Sequence, residues 1–136
     1  MRPKLNLLKS DISKNVSEAQ VKDELTYWKY YLSIISVEQV PLTPTEIEVL
    51  AYILSKDVDK DYFKGPPSAQ VVRNFKFTRQ QFWNYKKSFL NKGYLQKEDT
   101  NYYIEPNLKA LQRFVKRLIT NKQELELSLP FKIVTS

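Results

Sequence analysis

Residues 75–97 read FKFTRQQFWNYKKSFLNKGYLQK. Aromatic and basic residues interleave through this stretch, and it holds no Asp or Glu to balance the cations. Helical spacing separates the two kinds. Phe82, Tyr85 and Phe89 recur at three and four residues and share one side, the side a helix buries. Gln80, Gln81, Asn84 and Lys87 fall opposite, with Arg79, Trp83 and Lys86 at the margins. Thr78 followed by Gln81 forms a capping box, and Phe77 with Phe82 a hydrophobic staple, so a helix is expected to begin there. Gly93 is its natural C-terminal stop. The spacing thus predicts a helix over 78–92 with an aromatic core face and a basic, amide-bearing outer face.

The charge of the whole chain points to the same segment. Among 136 residues, 22 are basic and 15 acidic, for a net charge of +7. From Ser68 to Lys97 there are seven cations (Arg73, Lys76, Arg79, Lys86, Lys87, Lys92 and Lys97) and no acids, so the remainder is neutral at 15 of each sign. Concentration of all net charge in one stretch suggests a face that meets a polyanion. The plainer alternative is a solvated surface whose acids lie elsewhere.

Composition narrows the chemistry. The length suits one domain with flanking elements, and 42% hydrophobic and 13% aromatic residues suffice for a packed core. Without His or Cys there are no disulfides, no imidazole or thiolate metal sites, and no Cys or Ser–His nucleophile. The two glycines, Gly65 and Gly93, are too few for a phosphate-cradling loop. Asp57, Asp59 and Asp61 mimic the start of a calcium loop, but Tyr62 stands where glycine is needed and Ser68 where a bidentate glutamate is needed. Neither a cofactor nor an enzymatic site is implied. No apolar run is long enough for a signal peptide or a membrane span, and a cytoplasmic protein is expected.

Outward from the basic helix, the flanking elements are punctuated clearly. Thr43, Pro44 and Glu46 in PLTPTEIEVLAYIL give a capped start to a helix buried along Ile47, Leu50, Ala51 and Leu54. Upstream, a helix over about 17–36 is expected, with Ser17 and Gln20 as capping box and Val21, Leu25, Trp28, Leu32 and Ile35 as its stripe. Tyr27, Tyr30, Tyr31 and Ile34 widen that stripe past one face. Such a helix is either deep in its own core or shared between the core and a partner subunit. Residues 62–64 suggest a short strand, Gly65-Pro66-Pro67 a stop, and Ser68 the cap of a short helix. After Gly93, residues 94–97 and 102–104 read as a hairpin around EDTN. Asn107 is placed to cap a last helix, with Leu108, Leu111, Val115 and Leu118 on one side and Arg113, Lys116 and Arg117 on another. The tail QELELSLPFKIVTS alternates as a strand does.

Helix, short strand, short helix, tight turn, basic helix, glycine and hairpin is an order that resembles the winged helix-turn-helix family. With helices on both flanks it looks most like the MarR-type arrangement. The resemblance covers residues 42–118, and SFLNKGYLQK is its most specific piece. The wing QKEDTNYY departs from the family by lacking an Asp-Arg-Arg type signature, and the strand-like ends depart from terminal dimerisation helices. The expected fold class is mostly α (α+β), a winged helix-turn-helix with flanking helices and a short wing hairpin. It divides into an N-terminal segment over 1–41, the winged helix over 42–106, and a C-terminal helix and tail over 107–136.

What the resemblance implies is a non-enzymatic binder of double-stranded DNA, a transcriptional regulator that reads the duplex through the helix at 78–92. Its expected contacts are Arg73, Lys76, Thr78, Arg79, Gln80, Gln81, Trp83, Asn84, Lys86, Lys87 and Lys97. Lys86, Lys87 and Lys97 suit phosphates, and Gln80 and Asn84 suit base edges. Gln81 has a competing role in the capping box. Trp83 either packs under the wing or stands exposed as a partner anchor. A homodimer through the N- and C-terminal helices would match the two-fold symmetry of such sites. The alternative is a winged helix serving protein interaction or assembly, such as a small subunit of a nucleoprotein or viral particle.

Overall fold

A computed structural model describes residues 23–120. The expected Ser17 cap and the strand-like tail lie outside the described residues. The fold is mostly helical with one small antiparallel sheet, an α+β arrangement. Its elements are α1 (Glu24–Glu38), α2 (Pro44–Leu54), α3 (Gly65–Phe75), α4 (Arg79–Lys92), β1 (Leu95–Glu98), β2 (Asn101–Ile104) and α5 (Pro106–Thr120). Among the described residues no helix is long and apolar enough to cross a membrane.

α1 begins later than the expected 17, because Asp23 takes an extended backbone and caps it through the Thr26 amide at 2.7 Å. The helix lies against α2 and buries Tyr27, Trp28, Tyr31, Leu32, Ile34 and Ile35. Most of the aromatic surplus on this helix is therefore covered within the chain. Trp28 is fully buried and donates its indole N–H to Glu24 at 3.1 Å, which meets the cost of burying that polar edge. α2 starts as read, with Thr43 and Glu46 exchanging both capping-box hydrogen bonds and Pro44 in the first turn. Ile47 is only half-buried, while Val49 and Ile53 join the core in its place.

The expected strand at 62–64 is instead a turn. Tyr62 and Phe63 both enter the same core, whereas neighbours in a strand point to opposite faces. Asp61 closes the turn by accepting from the Phe63 amide at 2.9 Å, and its other oxygen accepts from the Tyr102 amide at 3.0 Å. One carboxylate thus supplies the pairing that a third strand would give to β2. The same usage leaves Asp57 and Asp61 as turn-formers, Asp57 accepting from the Asp59 amide.

α3 starts at Gly65, three residues before the expected Ser68 cap. Pro66 and Pro67 occupy the first turn, where amide hydrogens have no helical partner to lose. Ser68 donates to the Gly65 carbonyl instead of capping. α5 is likewise capped two residues earlier than expected. Glu105, not Asn107, accepts from the Leu108 amide at 3.0 Å, and Pro106 takes the first position. The hairpin has the expected place, with Leu95 opposite Ile104 and Glu98 opposite Asn101.

α5 is fastened to the end of α2 by polar side chains. Gln112 donates to the Leu54 carbonyl and Lys116 to the Ser55 carbonyl, both at 2.9 Å, and Lys109 donates to the Val58 carbonyl. The Leu54 and Ser55 carbonyls lie where α2 runs out of internal partners, the Val58 carbonyl lies in the turn beyond, and cations at that end oppose the helix dipole favourably. Lys116, expected on the outer side, therefore turns inward and also pairs with Glu24 at 2.9 Å.

Candidate nucleic-acid interface

α4 is positioned by aromatic packing on one side and by a buried carboxylate at its end. Phe63 stacks on Phe82 at 6.2 Å and meets Phe89 edge-on at 6.4 Å, joining α4 to the turn before α3. A second series runs from Tyr52 to Phe75 at 5.4 Å, on to Phe77 at 5.3 Å and to Tyr85 at 4.9 Å. It links α2, α3, the intervening turn and α4 through ring contacts, each of which typically contributes about 0.5–1.5 kcal/mol beyond its burial. Phe75, Phe77, Phe82, Tyr85 and Phe89 therefore belong to the packing. Trp83 alone among the aromatic residues of α4 points outward, at 49% exposure, and does not pack under the hairpin.

Glu46 holds the far end of α4. It is 4% exposed, accepts from Lys92 at 2.7 Å and from the Thr43 amide at 2.8 Å, and takes the Ser88 hydroxyl. Burial pushes its carboxyl up, but the hydrogen bonds from Lys92, Ser88 and Thr43 together outweigh that and hold it below its ordinary value. Tyr94, next to the Gly93 stop, donates to the Val40 carbonyl at 2.6 Å. Burial, with the nearby Glu46 charge, pushes its hydroxyl up to about 12. Sequence reading missed this network. The available signal was Ser88 and Lys92 at i, i+4 on the side of α4 that also carries Tyr85 and Phe89.

The turn between α3 and α4 is tight. Lys76 closes α3 in the left-handed region, at φ 57°, and Thr78 caps α4 through the Gln81 amide at 3.1 Å. Gln81 returns the bond to the Thr78 amide at 2.8 Å, so its side chain is engaged in the capping box as anticipated. No acid stands in the first turn of α4.

Ten of the eleven candidate contacts are exposed, and Lys86 is half-buried. Arg73 from α3 and Arg79, Gln80, Trp83 and Lys86 from α4 line one open groove of about 800 Å³. Lys86 is committed inward. Its ammonium donates to the Phe63 carbonyl at 3.1 Å and lies over the Tyr102 ring at 5.0 Å. Lys87 remains outside and sits 5.2 Å from the Trp83 ring. Gln80 donates to Asn84 at 3.0 Å, so the two amides are coupled. Lys76, Thr78, Gln81, Asn84 and Lys87 are on the turn or α4 but do not line the groove. Lys97 stands apart on β1, its ammonium 5.6 Å from the Tyr102 ring. At the hairpin tip, Glu98 and Asp99 are exposed, and Tyr103 is exposed while Tyr102 is half-buried.

The result is an outward surface of guanidinium, ammonium and amide groups on a rigidly packed helix. It can donate to phosphate oxygens and present paired amides to a planar polar edge. Among the described residues no group of three or more His, Cys, Asp or Glu is placed to hold a metal ion. No protein-family model matches the chain, and neither the curated proteins nor the solved structures include one significantly similar to it.

Proposed function

We propose that this chain is a non-enzymatic, duplex-DNA-binding protein of the winged helix-turn-helix type, acting as a transcriptional regulator with α4 as its reading helix. The observation that carries the reading is the outer face of α4. Arg79, Gln80, Asn84 and Lys87 are exposed there, Arg73 joins Arg79 and Gln80 across one groove, and no acid interrupts them. The core supports this function by leaving that face fixed and unobstructed. Arg73, Lys76, Arg79 and Lys87 are the phosphate contacts in this reading. Lys86 contributes less than its sequence position suggests, because its ammonium already has a partner. The acidic hairpin tip opposes phosphate, so the wing is not a main contact.

A salt titration tests the proposal. Fluorescence anisotropy with a random-sequence duplex should give a linear loss of log affinity with log salt. Arg73→Ala, Arg79→Ala and Lys87→Ala, combined, should flatten that slope by about 0.9 for each contact removed. An unchanged slope in the folded triple variant, or no duplex binding at low salt, refutes it. The exposed Trp83 supports a second reading, in which this face docks a protein and the chain is an assembly module. A homodimer is part of the first reading. With Tyr27, Trp28 and Tyr31 buried inside the chain, its apolar contacts would come from residues such as Val37 at the end of α1 and Phe114 and Ile119 on α5, which are exposed.

A further inference from the structure

We propose that α4 selects an A·T-containing step, with Gln80 and Asn84 reading one adenine and Trp83 packing on the methyl group of a neighbouring thymine. The inference rests on the duplex-DNA reading above and names the sequence class it would prefer.

Gln80, Trp83, Asn84 and Lys87 are spaced three and four residues apart and form one exposed stripe. The 3.0 Å bond between Gln80 and Asn84 joins two amides into a single unit. Whichever way round the two amides are turned, the bond uses one carbonyl and one NH₂ group. One carbonyl and one NH₂ group are left for an outside partner. Adenine presents an acceptor, N7, beside a donor, the N6 amino group, and so engages both at once. Guanine presents two acceptors side by side, N7 and O6, and sets O6 against the free carbonyl. The mutual bond also restricts both side chains before DNA arrives, which lowers the ordering cost of the contact.

Trp83 supplies the second half. It is 49% exposed and lies between the two amides in sequence, with the Lys87 ammonium against its ring. A large apolar surface on a reading face needs an apolar partner, and the thymine C5-methyl is the apolar feature of the major groove. Flanking cations anchor the stripe. Arg79 adjoins Gln80, and Lys87 ends the row. The acidic Glu98 and Asp99 keep the hairpin from offering a competing phosphate-bound register.

The test is a selection from randomised duplexes with the full chain, followed by anisotropy on the selected duplex and two modified forms. 7-Deazaadenine removes the N7 acceptor, and uracil removes the thymine methyl. Selection should enrich an A·T pair. One 7-deazaadenine should weaken wild-type binding by roughly 5- to 150-fold, whereas Asn84→Ala should bind natural and deaza duplexes alike. Uracil should weaken wild-type binding by about fourfold, the value of one buried methyl group, and Trp83→Ala should not distinguish the two. The modified-duplex comparisons use the wild-type protein, so they stand even if a variant misfolds. Salt-dependent binding that enriches G·C, or that ignores both modifications, overturns this inference and leaves the DNA reading intact. Absence of any duplex binding overturns both.

Discussion

Removing the Glu46 carboxylate should loosen α4 from α2 more than any surface change on α4 itself. Three bonds end on it: Lys92 at 2.7 Å, the Thr43 amide at 2.8 Å and the Ser88 hydroxyl. In Glu46→Ala the Thr43 amide is part-exposed and recovers water, so the loss there is the ordinary cost of a cap, about 1 kcal/mol. Ser88 and Lys92 lose charge-assisted partners, and Lys92 keeps 26% side-chain exposure through which water can reach it. That places their joint loss at about 2 kcal/mol, below the range for a wholly buried pair. The total is about 3 kcal/mol, or a fall in Tm on the order of 10–15 °C for a chain of this size. Urea unfolding followed by circular dichroism measures it. Glu46→Gln keeps an acceptor for the cap and should lose roughly half as much. The pH dependence fixes the sign. Because the folded carboxyl lies below its ordinary 4.5, its contribution is complete above that value and is lost as pH falls through the lower, folded one. Glu46→Gln should therefore be less sensitive to acid below about pH 4.5 than the wild type. A loss under about 1 kcal/mol for Glu46→Ala, or unaltered acid sensitivity in Glu46→Gln, refutes the idea that this carboxylate holds α4.

Lys76 sits at φ 57° without glycine's freedom, so Lys76→Gly should stabilise the fold by about 1 kcal/mol in urea unfolding. If Lys76 contacts phosphate, the same change should flatten the salt slope by about 0.9, so the two readouts move in opposite directions. Gly93 is at φ 84° with open space where a Cβ would go, so Gly93→Ala should cost about 1–2 kcal/mol from backbone strain alone. Lys116→Met should cost about 1–2 kcal/mol, and a double-mutant cycle with Glu24→Gln should return a coupling of at least 0.5 kcal/mol.

Local signals in the sequence located what depends on neighbours in the chain. The capping boxes at Thr43 and Thr78, the Gly93 stop, the aromatic face of α4 and the hairpin are each decided within a few residues. Features decided by distant partners were not legible. Residues 62–64 carry strand-like composition, but Asp61 satisfies β2 with a side chain and leaves both aromatics free to enter the core. Lys86 reads as a surface cation, yet the Phe63 carbonyl 23 positions away captures it. Lys116 reads as an outer-side helix residue, and Gln112 gives no signal at all, because the carbonyls at the end of α2 that they reach are 58 and more positions away. The face of α4 was legible because a helix must turn its polar residues outward once the aromatic ones are committed. The groove it shares with Arg73 needed the angle between two helices.

The distribution of acids sharpens this reading into a last prediction. Carboxylates do much of the work at helix starts here: Asp23 caps α1, Glu46 completes the box of α2, and Glu105 accepts from the first turn of α5. Among the described residues, only at α4 is a full capping box made by glutamine, although glutamate serves the same geometry and suits the helix dipole better. On stability alone, Gln81→Glu should therefore help, by about 0.3–1 kcal/mol, since Gln81 is exposed and already bonded to the Thr78 amide. On a face that meets phosphate the same charge should be costly. The duplex affinity of Gln81→Glu should fall at least tenfold at low salt, and less at high salt where the repulsion is screened. Thermal unfolding and anisotropy on one preparation separate the two effects. A variant that is more stable and binds worse locates the polyanion at the start of α4. One that is more stable and binds duplex as well as wild type removes α4 from the interface, and the protein-docking reading, anchored on Trp83, takes its place.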